Sequence, residues 1–446
     1  MKTTKIILSL MLLAAFSLHN SGVAVAQQYG DSVAMTLNEC LEFAKINSIT
    51  LQKAQLDVDN SQADIVSSKG AFLPTLSGSI SQNVSINPFD ETYGLDNGQY
   101  NGSYGIDLAL NIYNGGKNKS NLEKSNIYES IANLDLDQFA NTLEVSVTEV
   151  YVQILYAIEQ IEVAKTSLEI SQKNQDRGKA FLAAGSINEV DYAQLESSTA
   201  TYQYNLVVAK ADLNNLYVSL KHLLEISQQI NLKVVPPTIK EDLSNVSILT
   251  VETVYQAALE QRPEIASSNL YIATAELDTK IAKAGYLPTV SLTAGAGISH
   301  ASSSSFDFSS QLRDNFTTSA GLKVSVPIFS GYQNKTAVQK AENNEKTAEL
   351  NLVETQKDLY QTIETLYNNA ITAQAKYNVS TVQLDATQKS MELTTKQYEL
   401  GLKNTIELLT EQDNYNQALQ DLLVNKYQFL YNNAILNFYQ TNTIEL

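Results

Sequence analysis

The sequence predicts an α+β membrane protein that combines long antiparallel helices with four β-strands, with every part occurring twice. Three observations lead to this fold class. Residues 117–183 contain no proline and one glycine, and their apolar residues recur every three or four positions, as in an amphipathic helix. Residues 333–400 repeat this pattern without glycine or proline. Four shorter stretches alternate apolar and polar residues with the period of a β-strand.

The two long helical stretches predict an elongated molecule. A helix over 117–183 would have 67 residues and a length of about 100 Å, well beyond the usual helix of a compact domain. A free coiled-coil rod is the alternative interpretation of these stretches. Neither stretch keeps the strict leucine heptad of such a rod, so helices packed within a larger fold are the favoured interpretation.

The N-terminal segment 1–26 predicts a cleaved signal peptide. It has a basic start, a short apolar run and the sequence Ala24-Val25-Ala26, which is the small-x-small pattern of a cleavage site. An anchoring transmembrane helix is the alternative, but the apolar run is short for one. Because no later run is long enough for a membrane helix, any membrane-spanning part of the mature chain is expected to consist of strands.

Charge and cysteine content exclude several classes of protein. The net charge is −18, and loss of Lys2 and Lys5 with the signal peptide makes it −20. Phosphate backbones and anionic lipid head groups are therefore not expected partners, and nucleic-acid binding is excluded. The single cysteine, Cys40, excludes an internal disulfide, and its apolar neighbours predict a core position.

The chain aligns with itself at offsets of 214 and then 216 residues, which predicts two repeats with the same order of parts. The predicted boundaries are a signal peptide at 1–26, a first repeat at 27–226, a linker at 227–249 and a second repeat at 250–446. In the first repeat, a short helix and a second helix precede strands at 76–87 and 100–113, a long helix at 117–183 and a return helix at 186–226. The second repeat is expected to have helices at 250–284, strands at 289–299 and 316–329, a long helix at 333–400 and a return helix at 404–441.

Proline and glycine mark the corners between these elements. Pro74 and Pro288 end a helix and begin extended chain, because proline disfavours helix at the preceding residue and lacks an N–H group. Glycines are expected where the strands turn into the long helices and where those helices turn back, at Gly115, Gly331, Gly185 and Gly401.

The predicted strands carry the most specific signal. In residues 76–87 the even positions are apolar, except for Gly78 and Gln82, and the odd positions are serine or asparagine. Ten or more residues of this alternation are typical of an outer-membrane β-barrel strand, with one face toward lipid and one toward water. An edge of a soluble β-sandwich is the alternative. Four strands cannot close a barrel, so several chains are expected to pool their strands, and three copies would supply twelve.

Several segments of the sequence resemble the TolC-like outer-membrane factor family, also called outer membrane efflux proteins. They are the repeated Leu-Pro-Thr corner, the Asn-Ile-Tyr-Asn-Gly-Gly and Pro-Ile-Phe-Ser-Gly corners, and the turns at 184–191 and 398–407. The resemblance covers nearly all of the mature chain, in both halves and in order. No single motif is specific, but the ordered set is.

The resemblance implies a homotrimeric channel-tunnel of the Gram-negative outer membrane. Its twelve-stranded barrel would lie in outer-membrane lipid, and its helices would form a long α-helical barrel across the periplasm. The expected partners are a periplasmic adaptor (membrane fusion) protein and an inner-membrane pump or ABC transporter. The expected function is passive export of drugs, small molecules or proteins through a duct that is gated at its periplasmic tip, with energy supplied by the partner.

The resemblance also implies gate residues at the tip. Tyr398 and Asp191 match a phenol and a carboxylate that would bond across neighbouring helices. Lys403 matches a second linking cation, although Val190 stands where its hydroxyl partner is expected. Glu407 matches a constricting carboxylate, and Thr410 replaces a second acidic residue, so weaker cation selectivity is expected. The alternative for each of these side chains is a solvated polar group on a helix face.

No enzyme site is predicted. The three histidines lack metal spacing, and neither a phosphate-binding loop nor a nucleophile elbow is present, so no cofactor and no metal are expected. Two alternatives to an export channel remain open at this stage. They are a structural periplasmic rod or adhesin without channel activity, and a periplasmic hydrolase or ligand-binding enzyme with a site in residues 227–249.

Overall fold

The computed structural model describes residues 32–85, 99–237, 243, 246–301 and 307–446. The predicted signal peptide and residues 86–87 of the first predicted strand lie outside these ranges. The described chain contains nine α-helices and six β-strands, and most of its residues are helical.

Eight of the helices form two sets of four, each with two short helices, a long helix and a return helix. The first set is α1 (Leu37–Asn47), α2 (Ile49–Gly70), α3 (Lys117–Ala183) and α4 (Glu189–Leu223). The second set is α5 (Val251–Gln261), α6 (Pro263–Lys283), α8 (Gln333–Glu399) and α9 (Thr405–Thr441). The remaining helix, α7 (Phe308–Asp314), was not predicted and has no counterpart among the described residues.

Local sequence explains where the short helices begin. The Ser48 side chain accepts a hydrogen bond from the Leu51 N–H group at the start of α2, which satisfies one of the free N–H groups of a helix N-terminus. Helix α6 begins with Pro263 at its first position, where the missing N–H group costs no hydrogen bond. Each set therefore has one break between its two short helices, at Ser48 in the first set and at Pro263 in the second.

The first return helix is shorter than predicted at both ends. Helix α4 begins at Glu189 rather than 186, because Asn188 is its N-cap residue. It ends at Leu223 rather than 226, because Glu225 has a positive φ of 54° and the Ile226 N–H group bonds back to the Lys221 carbonyl at 2.9 Å. The positive φ of Glu225 and this hydrogen bond together close the C-terminal end of α4.

Four strands form one antiparallel sheet in the order β2 (Thr75–Ser85), β3 (Gln99–Asn114), β5 (Thr289–Ala301) and β6 (Thr317–Ser325). Strand β6 ends at Ser325 rather than at the predicted 329, and Pro327, which lacks an N–H group, follows closely. Two short strands that were not predicted, β1 (Ser32–Met35) and β4 (Asn231–Val234), pair in parallel. Strand β4 lies within the predicted linker.

The register of the sheet separates an apolar face from a polar face. Ile80 pairs with Tyr104, and Leu292 pairs with Leu322, so these side chains share one face. The Ile80 side chain is 76% exposed, and all residues of β2 and β6 are exposed. No other described element covers the apolar face along these two strands.

The described chain divides into two compact units, and each unit contains segments from both repeats. The first unit comprises the described parts of Met1–Ile46, Val147–Lys240 and Gln388–Leu423, and includes the β1–β4 pair and the turns that follow α3 and α8. The second unit comprises the described parts of Asn47–Ser146, Glu241–Thr387 and Val424–Leu446, and includes the four-stranded sheet. Val254, Ile363 and Leu436 are fully buried in a hydrophobic cluster of this unit.

Gly115 lies at the corner between β3 and α3, and its replacement by alanine is expected to destabilise the second unit. Its φ is +69°, and a Cβ atom there would lie 2.9 Å from the Ala284 carbonyl oxygen. The left-handed conformation costs a non-glycine residue about 1–2 kcal/mol, and crowding against backbone adds about 1–3 kcal/mol. Thermal unfolding of the purified protein measures the loss.

Gly116→Ala is the matched control. Gly116 has a φ of +84°, but a Cβ atom there would meet nothing within 4 Å, so only the conformational cost remains. We expect the midpoint of unfolding to fall clearly further for Gly115→Ala. Equal shifts for the two variants would contradict this account of the corner.

Candidate functional site

The candidate site is the pair of turns that join each long helix to its return helix. After α3, the Ser186 N–H group bonds to the Phe181 carbonyl at 2.8 Å, and the Gly185 N–H group bonds to the Leu182 carbonyl at 3.0 Å. This arrangement is a Schellman motif. Gly185 supplies the required positive φ of 70°.

The turn after α8 is built in the same way. The Leu402 N–H group bonds to the Gln397 carbonyl at 2.8 Å, and the Gly401 N–H group bonds to the Tyr398 carbonyl at 3.0 Å. Gly401 has a φ of 71°. Both predicted tip glycines therefore occupy the same position of the same motif.

Asp191 and Glu407 are equivalent residues of the two repeats, and both cap a return helix. The Asp191 N–H group bonds to the Asn188 side chain at 2.9 Å, and the Asp191 carboxylate accepts from the Asn188 N–H group at 3.5 Å. The corresponding distances between Glu407 and Asn404 are 2.9 and 3.0 Å. These reciprocal bonds are capping boxes, so each carboxylate has a local role besides the one predicted from the family.

Lys403 forms an ion pair with Glu407. This hydrogen bond, together with the bond from the Asn404 N–H group, lowers the pKa of Glu407, so the carboxylate is ionised at neutral pH. Val190, which stands where the resemblance implies a hydroxyl partner for Lys403, is an exposed apolar residue. Within the chain, Glu407 is the partner of Lys403 instead. Lys403 and Glu407 are four residues apart at the start of α9, and oppositely charged residues with this spacing can pair. The ion pair could therefore have been predicted from the sequence.

Tyr398 is 2% exposed, and its ring lies 5.6 Å from the Phe181 ring, measured between centroids. It packs in a hydrophobic cluster with Met391 and Leu408. The Tyr398 hydroxyl is buried and has no hydrogen-bond partner among the described residues. A buried hydroxyl without a hydrogen-bond partner is unfavourable.

The four predicted gate residues line one cleft at the second turn. Within this chain, Lys403 forms an ion pair with Glu407. Tyr398 and Asp191 both line the cleft, but no hydrogen bond connects the Tyr398 hydroxyl to Asp191 or to any other described residue. Sequence reasoning missed one further link, the ion pair between Arg177 of α3 and Glu399 of α8 at 2.7 Å. Nothing in the local sequence reveals it, because the two residues belong to different helices far apart in the chain.

Polar side chains, three of them buried, join the parts of α3, α4 and α9 that lie in the first unit. The Ser167 hydroxyl donates to the Asn416 side-chain oxygen at 2.7 Å. The Tyr202 hydroxyl donates to Asp413 at 2.7 Å and accepts a bond from Asn416. Burial raises the pKa of Tyr202, so its hydroxyl remains a donor. Such satisfied networks fix the relative positions of helices.

Two properties of the described residues bear on the kind of site. No group of three or more histidine, cysteine, aspartate or glutamate side chains is placed to hold a metal ion in the ranges that the structure describes. No described helix is long and apolar enough to cross a membrane.

The fold, with its two helix sets and four-stranded sheet, is that of the channel-tunnel class. A solved structure of CusC, from work on transmembrane channel formation, matches with a TM-score of 0.77 and 18% identity and covers 94% of this chain and 95% of that chain. The family model for outer membrane efflux proteins matches residues 41–224 and 254–439. The chain therefore belongs to the outer membrane efflux protein family.

Curated relatives agree with this assignment. Outer membrane efflux protein BepC of Brucella suis is 22% identical over 411 residues, which cover 90% of this chain and 85% of that protein. Outer membrane protein TolC of Escherichia coli is 21% identical over 410 residues, which cover 90% of this chain and 81% of that protein. The protein is thus an outer-membrane channel for efflux or secretion, in a family of channel proteins rather than enzymes.

Proposed function

We propose that the chain is the outer-membrane component of a tripartite efflux or type I secretion system. Three copies assemble, their strands form a twelve-stranded barrel in the outer membrane, and their helices form an α-helical barrel in the periplasm. The assembled trimer is a passive export duct with a gate at its helix turns.

The observation that carries this proposal is the four-stranded sheet. Its apolar face is exposed along β2 and β6, for example at Leu76, Ile80 and Val324. A sheet face of this kind is unfavourable in water and is favourable in lipid. The opposite face of these two strands carries serine, threonine, asparagine, glycine and one lysine, which suit an aqueous lumen.

The edges of the same sheet support an assembly of several copies. Among the described residues, strands β2 and β6 each pair on one side only, and an unpaired backbone edge cannot remain in the hydrocarbon core of a membrane. Pairing of β6 with β2 of the next copy removes both edges. Three copies give twelve strands, which is within the range of known outer-membrane barrels.

The proposed partners are a periplasmic adaptor protein and an inner-membrane pump or ABC transporter. Energy for export comes from the inner-membrane partner, since the sequence has no phosphate-binding loop of its own. The helix turns face the adaptor and pump in this arrangement.

The proposed gate consists of Tyr398, Asp191, Lys403 and Glu407. In the closed trimer the Tyr398 hydroxyl, which lacks a partner among the described residues of the single chain, bonds to an Asp191 carboxylate. Three copies of Glu407 surround the axis, where mutual repulsion opposes ionisation. The Lys403 ion pair with Glu407 counters that repulsion, and exposed Thr410 adds no charge, so cation selectivity at the tip is weak.

Two measurements on the purified full-length protein test the proposal. Light scattering in detergent gives the mass of the protein part, and planar-bilayer recording gives its conductance. We expect three chains per particle and discrete single-channel steps. A monomer without conductance would favour the structural rod or adhesin and would overturn the proposed function.

A further inference from the structure

The four strands of the membrane sheet carry only two formally charged side chains among the residues that the structure describes. Asp107 lies in β3 and Lys323 lies in β6. This scarcity contrasts with the strongly acidic chain as a whole, whose net charge is −18.

Both charged side chains lie on the polar face of the sheet. Asp107 pairs with Gly295, which pairs with Ser319, and Ser319 and Lys323 are four residues apart on the same strand. Paired residues and residues an even number apart share a face. An Oδ1 atom of Asp107 would lie 2.9 Å from a Cβ atom at Gly295, which places the carboxylate over this glycine.

The neighbouring positions on this face are small, so Asp107 and Lys323 extend furthest from it. These positions are Ser77, Gly105, Ala109, Thr293, Gly295 and Gly321. Asp107 and Lys323 are both exposed, and neither forms an ion pair with another described residue.

The two charges are too far apart to neutralise each other. Four residues along a strand span about 13 Å, and two steps between strands span about 10 Å. The separation within one chain is therefore about 16 Å, which exceeds the screening length of about 8 Å at physiological ionic strength. Each charge thus acts on ions at its own level of the sheet.

Asp107 and Lys323 lie at different distances from the end of the sheet that joins the helices. Lys323 lies two residues before the end of β6, on the side where the strands join the helices, and Asp107 lies further from that side. A solute that leaves the helices meets the lysine level first and the aspartate level second.

We propose that Asp107 and Lys323 are the residues that set charge selectivity in the membrane-spanning part of the channel. In the trimer, three ammonium groups form one level and three carboxylates form another. Their opposite signs let small anions and small cations pass with similar ease. This inference rests on the proposed function, because it requires the polar face to line a trimeric lumen.

The test compares potassium and chloride permeability from reversal potentials in planar bilayers under a potassium chloride gradient. All proteins carry Lys403→Gln and Glu407→Gln, so that these two gate charges do not contribute, and the third gate charge, Asp191, is the same in every protein compared. We expect Asp107→Asn to lower the potassium-to-chloride ratio about twofold and Lys323→Gln to raise it about twofold, as for a unit charge in a wide aqueous pore.

The double variant Asp107→Asn/Lys323→Gln is expected to return the ratio close to its starting value, and Lys323→Arg is expected to keep it. Trimer yield from outer membranes checks assembly of each variant. Conducting trimers whose ratio does not change, or changes in the same direction for both single variants, would overturn the inference and leave the channel intact. A parent protein that does not conduct would overturn the proposed function itself.

Discussion

Ile80→Arg is expected to reduce the amount of assembled protein in the outer membrane by more than about tenfold. Ile80 lies near the middle of β2 on the apolar face, and the residue is 76% exposed. An arginine on the lipid face near the bilayer centre costs about 2–4 kcal/mol, and all three copies of a trimer carry it. Quantitative immunoblotting of isolated outer membranes measures the effect.

Ser81→Arg is the matched control, since Ser81 is the next residue of β2 and lies on the polar face opposite Ser103. An arginine there would extend into the proposed aqueous lumen, and we expect near-normal assembly. Equal losses of assembled protein for the two variants would mean that the two faces of the sheet have the same surroundings. That result would contradict the membrane-spanning role of β2.

Asp191→Ala is expected to raise single-channel conductance, because it removes the carboxylate that we propose as the partner of the Tyr398 hydroxyl in the closed tip. A hydrogen bond to a charged group is worth about 1.5–3 kcal/mol, which corresponds to a change of about tenfold or more in the balance of closed and open states. Tyr398→Phe removes only the hydroxyl and keeps the contact with Phe181, so we expect the same direction of change. Planar-bilayer recording of the purified trimers measures both variants.

The capping role of Asp191 requires a separate control. Asn188→Ala removes the N-cap side chain of α4 and keeps the Asp191 carboxylate. We expect it to lower stability by about 0.5–2 kcal/mol with little change in conductance. If Asn188→Ala opened the channel as much as Asp191→Ala, the effect would belong to the helix cap, and the proposed latch would be wrong.

Features with long periodicity could be predicted from the sequence. The bounds of α3 are those expected from a stretch without proline, and α8 ends one residue earlier than expected. Alternation along β2, β3, β5 and β6 predicted the sheet, because a period of two persists over nine or more residues. The family match in two segments agrees with the predicted repeat.

Short elements and long-range contacts could not be predicted in this way. Strands β1 and β4 have four residues each, too few to show a period. The ion pair of Arg177 with Glu399 depends on how helices from the two repeats pack, which local sequence does not specify. At the turns, the family resemblance pointed to Asp191 and Glu407 as gate residues, whereas their spacing from Asn188 and Asn404 also encodes helix caps.

The proposed channel requires that the four-stranded sheet has one face toward lipid and one toward an aqueous lumen. Single cysteines at successive positions from Ser77 to Ser81 test it most directly, with a charged, membrane-impermeant thiol reagent applied to intact outer membranes. The native Cys40 is fully buried, and burial raises the pKa of its thiol to about 12, so its reaction is negligible. We predict labelling at 77, 79 and 81 and protection at 78 and 80. Equal labelling at all five positions, or labelling confined to 78 and 80, would contradict the claim.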